Sequence, residues 1–250
     1  MTCRSINTHV KRLAAAPGIL AMAFLVAFFG WRASLAATAT ADLGKEQPGT
    51  LLTSFAPAVG AWSAVKDGDR TVLKVDGSGW TRGKPSPELA ASARTLYGEQ
   101  GAAFEKAVSA HAGFPFAVFT GLGGFKQGEV SFRFKSVAGK EDQAAGIIFD
   151  LKPNGDALIL RGNALEDNLI LFQFANGRRT AVKTVEGVPT AKGVWHDIKL
   201  VVNGTRIEGF MDGKPYLQHD LGRTVDGRVG VWSKDDSVML IDGFTVTTHE

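Results

Sequence analysis

The chain has 250 residues, 44% of them hydrophobic and 21% charged, with one cysteine and a formal net charge of +3. That balance is too apolar for a disordered polyelectrolyte, and a single cysteine excludes a disulfide framework within the chain. The basic excess is also local. Four basic residues and no acidic one fall in the first 41 positions, leaving 24 basic against 25 acidic residues in the remainder, a net charge of −1. Basicity therefore gives no support for nucleic-acid binding.

Arg4, Lys11 and Arg12 precede an apolar core of 11 residues, 19–29, which Gly30 ends. The following "ASLAATATA" offers small residues at the −3 and −1 positions of several cuts. These are the three parts of a secretory signal peptide, which we assign to residues 1–41 with cleavage between Ala36 and Asp42. The competing reading is an uncleaved anchor, because residues 13–31 are a 19-residue stretch free of charge and near membrane-spanning length. Pro17 and Gly18 interrupt that run, and the Ala-Thr-Ala sites favour cleavage. Cys3 lies before the apolar core, the wrong place for a lipid-attachment cysteine. The expected location is periplasmic or extracellular, with no membrane association after cleavage. The roughly 209 residues that remain suffice for a single domain whose core must hold it without disulfides.

Residues 42–50 read as a polar linker, and residues 51–76 as two or three short strands, the clearest at 71–75 after the "KDGD" turn. Residues 86–112 change period. Ser86 is placed as an N-cap with Pro87 at the first helical position, and Leu89, Ala93 and Leu96 share one face before Gly98 stops the helix. Phe104, Ala107, Val108 and His111 repeat the pattern up to Gly113, which predicts a short helical hairpin. From Phe114 onward the chain alternates: Val130, Phe132 and Phe134 against Glu129, Ser131, Arg133 and Lys135, then Ile198, Leu200 and Val202. Turn pairs recur at Asn154-Gly155, Asn176-Gly177, Asn203-Gly204, Asp212-Gly213 and Asp226-Gly227, which favour tight antiparallel hairpins. Ten or more short strands so punctuated predict a sandwich or barrel, with no βαβ series.

The segments "GEVSFRFK", "AAGIIFD", "LRGNALEDNLILFQFANGRR", "GVWHDIKLVVNGTRIEGFMDGK" and "GRVGVWSKDDSVMLIDGFTV" follow one another in that order. Across roughly Gly128 to Val246 the chain resembles the concanavalin A-like, laminin G-like sandwiches of exported bacterial proteins. It is similar in particular to the 3-keto-disaccharide hydrolase (DUF1080) domain group. The resemblance implies an all-β, two-sheet antiparallel jelly roll with a concave face commonly used for glycans, and makes the helical hairpin an insertion.

Candidate site residues centre on "LILRGNALEDNLILFQF", residues 158–174. Strand parity puts Leu158 and Leu160 on one face and Ile159, Arg161 and Asn163 on the other, with Glu166 in the connection beside them. Arg161, Asn163 and Glu166 either present donors and acceptors to sugar hydroxyls or brace the turn among themselves; an arginine locked by a carboxylate does both. Trp232 shares parity with Lys234 off the main apolar face, so both are ligand-binding candidates, Trp232 as a stacking platform. Trp195 is a second aromatic candidate that also fits a core edge. For a pair of glycosidase acids, Glu166 with Asp150 or Asp236 is the pairing carried forward. Scattered histidines give no zinc spacing. Calcium takes carboxylates and carbonyls from loops, and Asp242, interrupting "VMLIDGFTV", is the candidate ligand of a structural calcium; no other cofactor is expected. "GLGGF" at 121–125 runs into a strand and so is no dinucleotide fingerprint. The leading expectation is binding of a carbohydrate or cell-envelope glycan without catalysis. The alternatives are a glycoside hydrolase of the 3-keto-disaccharide type and a purely structural or protein-interaction domain.

Overall fold

The computed structural model describes residues 1–2, 36–79, 84–111 and 113–249. The apolar core of the leader and Cys3 lie outside the described residues. Among the described residues, no helix is long and apolar enough to cross a membrane.

Residues 36–249 form two antiparallel sheets, with strands numbered in chain order. One sheet has eight strands. Its spatial order is β13 (Lys214–Asp220), β12 (Arg206–Met211), β11 (Trp195–Asn203), β6 (Gly128–Ala138), β15 (Val238–Thr248), β4 (Arg70–Asp76) and β3 (Trp62–Asp67), with β1 (Ala37–Thr40) also on β15. The other has seven strands. They run β10 (Arg178–Glu186), β9 (Asn168–Ala175), β8 (Ala157–Asn163), β7 (Ala144–Leu151), β14 (Arg228–Ser233), β5 (Phe116–Phe119) and β2 (Phe55–Val59).

The alternation in the sequence builds the layer between the sheets. Val130, Phe132 and Phe134 on β6 and Ile198, Leu200 and Val202 on β11 are buried against Leu158 and Leu160 of β8 and Leu169 and Leu171 of β9. Phe132 stacks on Phe244, with centroids 6.1 Å apart and rings 21° from parallel. This is an all-β, jelly-roll-like sandwich with a helical insertion, as the periodicity predicts.

The seven-stranded sheet is apolar on its outer face too, as parity at Ile159, Ile170 and Phe172 requires. That face packs under the hairpin of α1 (Leu89–Tyr97) and α2 (Gly101–His111), whose Leu89, Ala93, Leu96, Phe104 and Val108 form a second core with it. Ser86 is not the side-chain cap. Its hydroxyl donates to the Gly60 carbonyl at 2.6 Å, and the helix starts after Glu88. The insertion needs an anchor to the sheet more than it needs a capped first turn.

Two turn pairs behave as expected. Asn176-Gly177 and Asp212-Gly213 both take positive φ, at 50° and 73° and at 49° and 75°, the geometry of two-residue hairpins. Asp226-Gly227 does not make a hairpin, because Gly227 bridges to Phe125 across the sheet edge. The end of the segment assigned to the signal peptide, within the expected cleavage window, carries a strand. Ala37–Thr40 pairs with Thr245–Thr248, and Ala41 and Leu43 are buried in the main core. The expected linker is likewise anchored: Glu46 is buried and accepts hydrogen bonds from Thr53 and Ser54 backbone amides at 3.0 and 2.7 Å. Small alternating residues suit this strand, since Ala and Thr lie against β15 without needing their own pocket.

Candidate functional site

On the outer face of the seven-stranded sheet, register lines up Trp232 of β14, Gly146 of β7, Arg161 of β8 and Ile170 of β9 in one row. Gly146 permits close packing there. A Cβ at this position would meet the Leu160 carbonyl oxygen at 2.7 Å and the Arg161 Cα at 3.2 Å. Arg161 can therefore lie flat over the sheet, with its guanidinium 5.4 Å from the Phe172 ring centroid. Its residue is 2% exposed.

The helical hairpin covers part of this face and leaves a polar cluster at the end where β8 turns into β9. Arg161 Nη1 donates to Glu166 Oε2 at 2.8 Å and to Asn168 Oδ1 at 3.1 Å. Asn168 Nδ2 donates to the same Glu166 oxygen at 3.1 Å. Next to it, Lys234 pairs with Asp142 and reaches Asp235 at 3.5 Å, and Asn163 Nδ2 donates to Asp142 Oδ1 at 2.7 Å. The Glu166 side chain is 41% exposed, so the cluster opens to solvent there.

Burial pushes the Asp142 carboxyl up, against the pull of Lys234 and with a further push from Asp235. Burial acts the same way on Glu166, but Arg161 and the Asn168 amide outweigh it and hold Glu166 below the usual carboxylate range. The environment thus separates two neighbouring acids.

Arg179 of β10 completes the cluster. Its guanidinium sits 4.3 Å from the Phe114 centroid and 4.5 Å from that of Phe172, with Trp232 at 6.0 Å. Burial lowers its proton affinity, and so does the neighbouring Arg161 charge. The two buried side-chain polar atoms without a hydrogen-bond partner among the described residues are Arg161 Nε and Arg179 Nη1. Arg179 has no carboxylate within ion-pair distance among these residues. It escaped the sequence reading, although a signal existed: a two-residue hairpin at Asn176-Gly177 puts Arg179 directly across from Phe174. Asp142 was missed because it sits in a loop, where parity gives no guide.

The sequence-predicted residues fall into two groups. Arg161, Glu166 and Lys234 do converge. Asn163 is 0% exposed, and its Oδ1 also accepts from the Leu165 amide at 3.0 Å, so it braces the turn and does not face a ligand. Trp232 is 2% exposed and packs on Phe114 at 5.4 Å between centroids. Parity placed it on the right face, but the insertion covers that part of the face, so it backs the site and is no stacking platform. Trp195 lies on the opposite sheet, flanked by Arg133 and Lys135 at 4.7 and 5.1 Å.

Both acids named as partners of Glu166 are engaged elsewhere. Asp150 lies at the far end of β7, where Arg223 and Lys152 hold it at 2.7 and 2.9 Å. The Asp236 carboxylate accepts the backbone N–H groups of Lys140, Glu141 and Asp142. The calcium expectation at Asp242 does not fit either. Its Oδ2 is held by Arg133 and by Arg70 at 3.2 Å, cations where a metal would need open oxygens. Among the described residues no three acidic, histidine or cysteine groups are placed to hold a metal ion.

Beside the cluster, an apolar cavity lies between α2 and the sheet, lined by Val108, Phe114, Ile159 and Trp232 among others. Its volume is ≈ 40 Å³.

No family model and no curated protein matches the sequence. Similarity appears in solved structures. A carbohydrate binding module, CBM66 from Bacillus subtilis, superposes with a TM-score of 0.55 at 12% identity, over 78% of this chain and 96% of that one. A Bacillus licheniformis β-glucanase gives 0.45 at 9% identity, over 87% and 98% of the two chains. An alginate lyase of polysaccharide lyase family 7, AlgAT5, gives 0.44 at 15% identity, over 76% and 82%. At these identities the likeness is one of fold, and fold does not fix function. The chain shares its β-sandwich architecture with that carbohydrate binding module.

Proposed function

We propose that this chain is an exported glycan-binding module, and that the polar end of the outer sheet face, at Arg161, Glu166 and Arg179, is where the glycan sits. The carrying observation is the Arg179 guanidinium, set against Phe114 and Phe172 with no carboxylate in ion-pair distance among the described residues, near the partly exposed Glu166 carboxylate. Donors and an acceptor of this kind are complementary to sugar hydroxyls. Phe114 and Phe172 both lie against the Arg179 guanidinium, which restricts its donors. Lys234 orients Asp142 behind them and contributes charge, not direct contact. The likeness to a carbohydrate binding module agrees with this reading through shared architecture. The location that follows is periplasmic or extracellular.

The test is a glycan array probed with the chain lacking its leader, in parallel with Glu166→Gln. Binding to a defined glycan set, weakened in the variant after correction for any unfolded protein, is the expected result. An array without signal would count against the proposal.

A hydrolytic reading has one observation behind it: Asp142 is pushed toward the protonated form while Glu166 stays ionised, the division of labour of a general acid and its partner. Asp142 is 1% exposed behind Lys234, which keeps it from a leaving group, so binding ranks first. Release of monosaccharide from a 3-keto-disaccharide, abolished in Asp142→Asn, would reverse that ranking.

A further inference from the structure

We infer that the sugar this site takes carries a carboxylate, as in a uronic acid, and that Arg179 is the residue that selects it. The inference rests on the glycan reading above and adds the chemical class of the ligand. The accounting of partners leads to it. Glu166 is spent on Arg161 and Asn168, Asp142 on Lys234 and Asn163, and Asp235 lies against Lys234. Of the cluster's three cations, Arg179 alone is faced by aromatic rings with no carboxylate in ion-pair distance among the described residues.

Arg161 and Arg179 both lie against the Phe172 ring, each with an unmatched N–H, and each worsens the other's position by like-charge repulsion. A neutral hydroxyl would accept one hydrogen bond and leave that repulsion in place. A carboxylate accepts from a guanidinium fork in two parallel bonds and cancels a charge. Lys234 and Arg161 each hold a carboxylate, and Arg179 holds none among the described residues, so the vacant role is anionic. Glu166, partly exposed and held ionised, lies at the mouth, where its remaining oxygen accepts a hydroxyl of the same sugar.

The experiment compares oligosaccharides of uronic acids with their methyl esters, which keep every hydroxyl and lose the charge, on one array that also carries neutral and sulfated glycans. The expected result is a preference of about tenfold or more for free acid over ester, lost in Arg179→Gln and reduced in Arg179→Lys, which keeps the charge without the fork. Should Arg179→Gln fail to fold, Arg179→Lys reads the same ratio. Equal binding of acid and ester, or signal confined to neutral or sulfated glycans, overturns the carboxylate and leaves glycan binding standing. Silence across the whole array overturns both. An acid preference that survives in a folded Arg179→Gln chain removes Arg179 from the role.

Discussion

Asn163 Nδ2 donates to Asp142 Oδ1 at 2.7 Å, joining the end of β8 to the loop that enters β7 between two side chains that are 0% and 1% exposed. The same Asn163 caps its own turn through Oδ1 to the Leu165 amide, and Thr190 Oγ1 donates to its carbonyl at 2.9 Å. The site's geometry is therefore set one layer behind the groups that face outward. Arg161 and Glu166 flank a turn that these three bonds hold.

Replacing Asn163 with Ala removes a buried bond to a carboxylate and leaves the Leu165 amide unmatched. The expected loss is about 2 to 4 kcal/mol in denaturant unfolding. A loss below about 1 kcal/mol would show that the turn holds without it.

Phe132 tests the main core. It is buried on β6 and touches both Phe134 and Phe244, so Phe132→Ala should cost about 3 to 5 kcal/mol through lost burial and a cavity. The measurement is the midpoint of a urea melt at unchanged slope. An unchanged midpoint would place the residue outside the core.

Asp242 predicts a pH effect. Burial raises its carboxyl, but Arg133 and Arg70 prevail and hold it below its ordinary 3.8. The folded chain thus binds this proton more weakly than the unfolded chain does. The stabilisation is fully present above 3.8 and is lost as pH falls through the lower folded value. Asp242→Asn should lose about 1 to 3 kcal/mol at neutral pH, and its stability should vary less with pH below about 4 than that of the parent chain. Parallel curves for the two proteins in acid would contradict the ion pair.

The leader gives a prediction sharpened by β1. Cleavage after Ala36, with Ser34 and Ala36 at −3 and −1, removes the apolar segment and keeps Ala37–Thr40 on β15. Intact mass of the exported protein should therefore start at Ala37. A chain begun at Asp42 should melt lower than one begun at Ala37, because it lacks the edge pairing to Thr245–Thr248. A start at Asp42 would mean that β1 is discarded, and retention of Met1 would identify an anchor.

Much of the fold is written locally. Alternation at Val130, Phe132 and Phe134, the helical spacing of Leu89, Ala93 and Leu96, and the Asn-Gly and Asp-Gly turns each specify their own element, because period and turn chemistry act over a few residues. The same parity put Arg161 on the correct face of β8. What periodicity does not carry is what lies over that face. Trp232 became a buried wall because a hairpin some 130 residues earlier in the chain docks on its strand, and Arg179 met Arg161 because a second hairpin folds β10 back beside β9. Asp142 reached Asn163 across 21 residues of sequence. Burial and unmatched charge are properties of such long-range neighbours. The sequence by itself therefore determined the sandwich and its inward residues, and only the tertiary structure decided which outward polar groups are spent on one another and which still lack a partner.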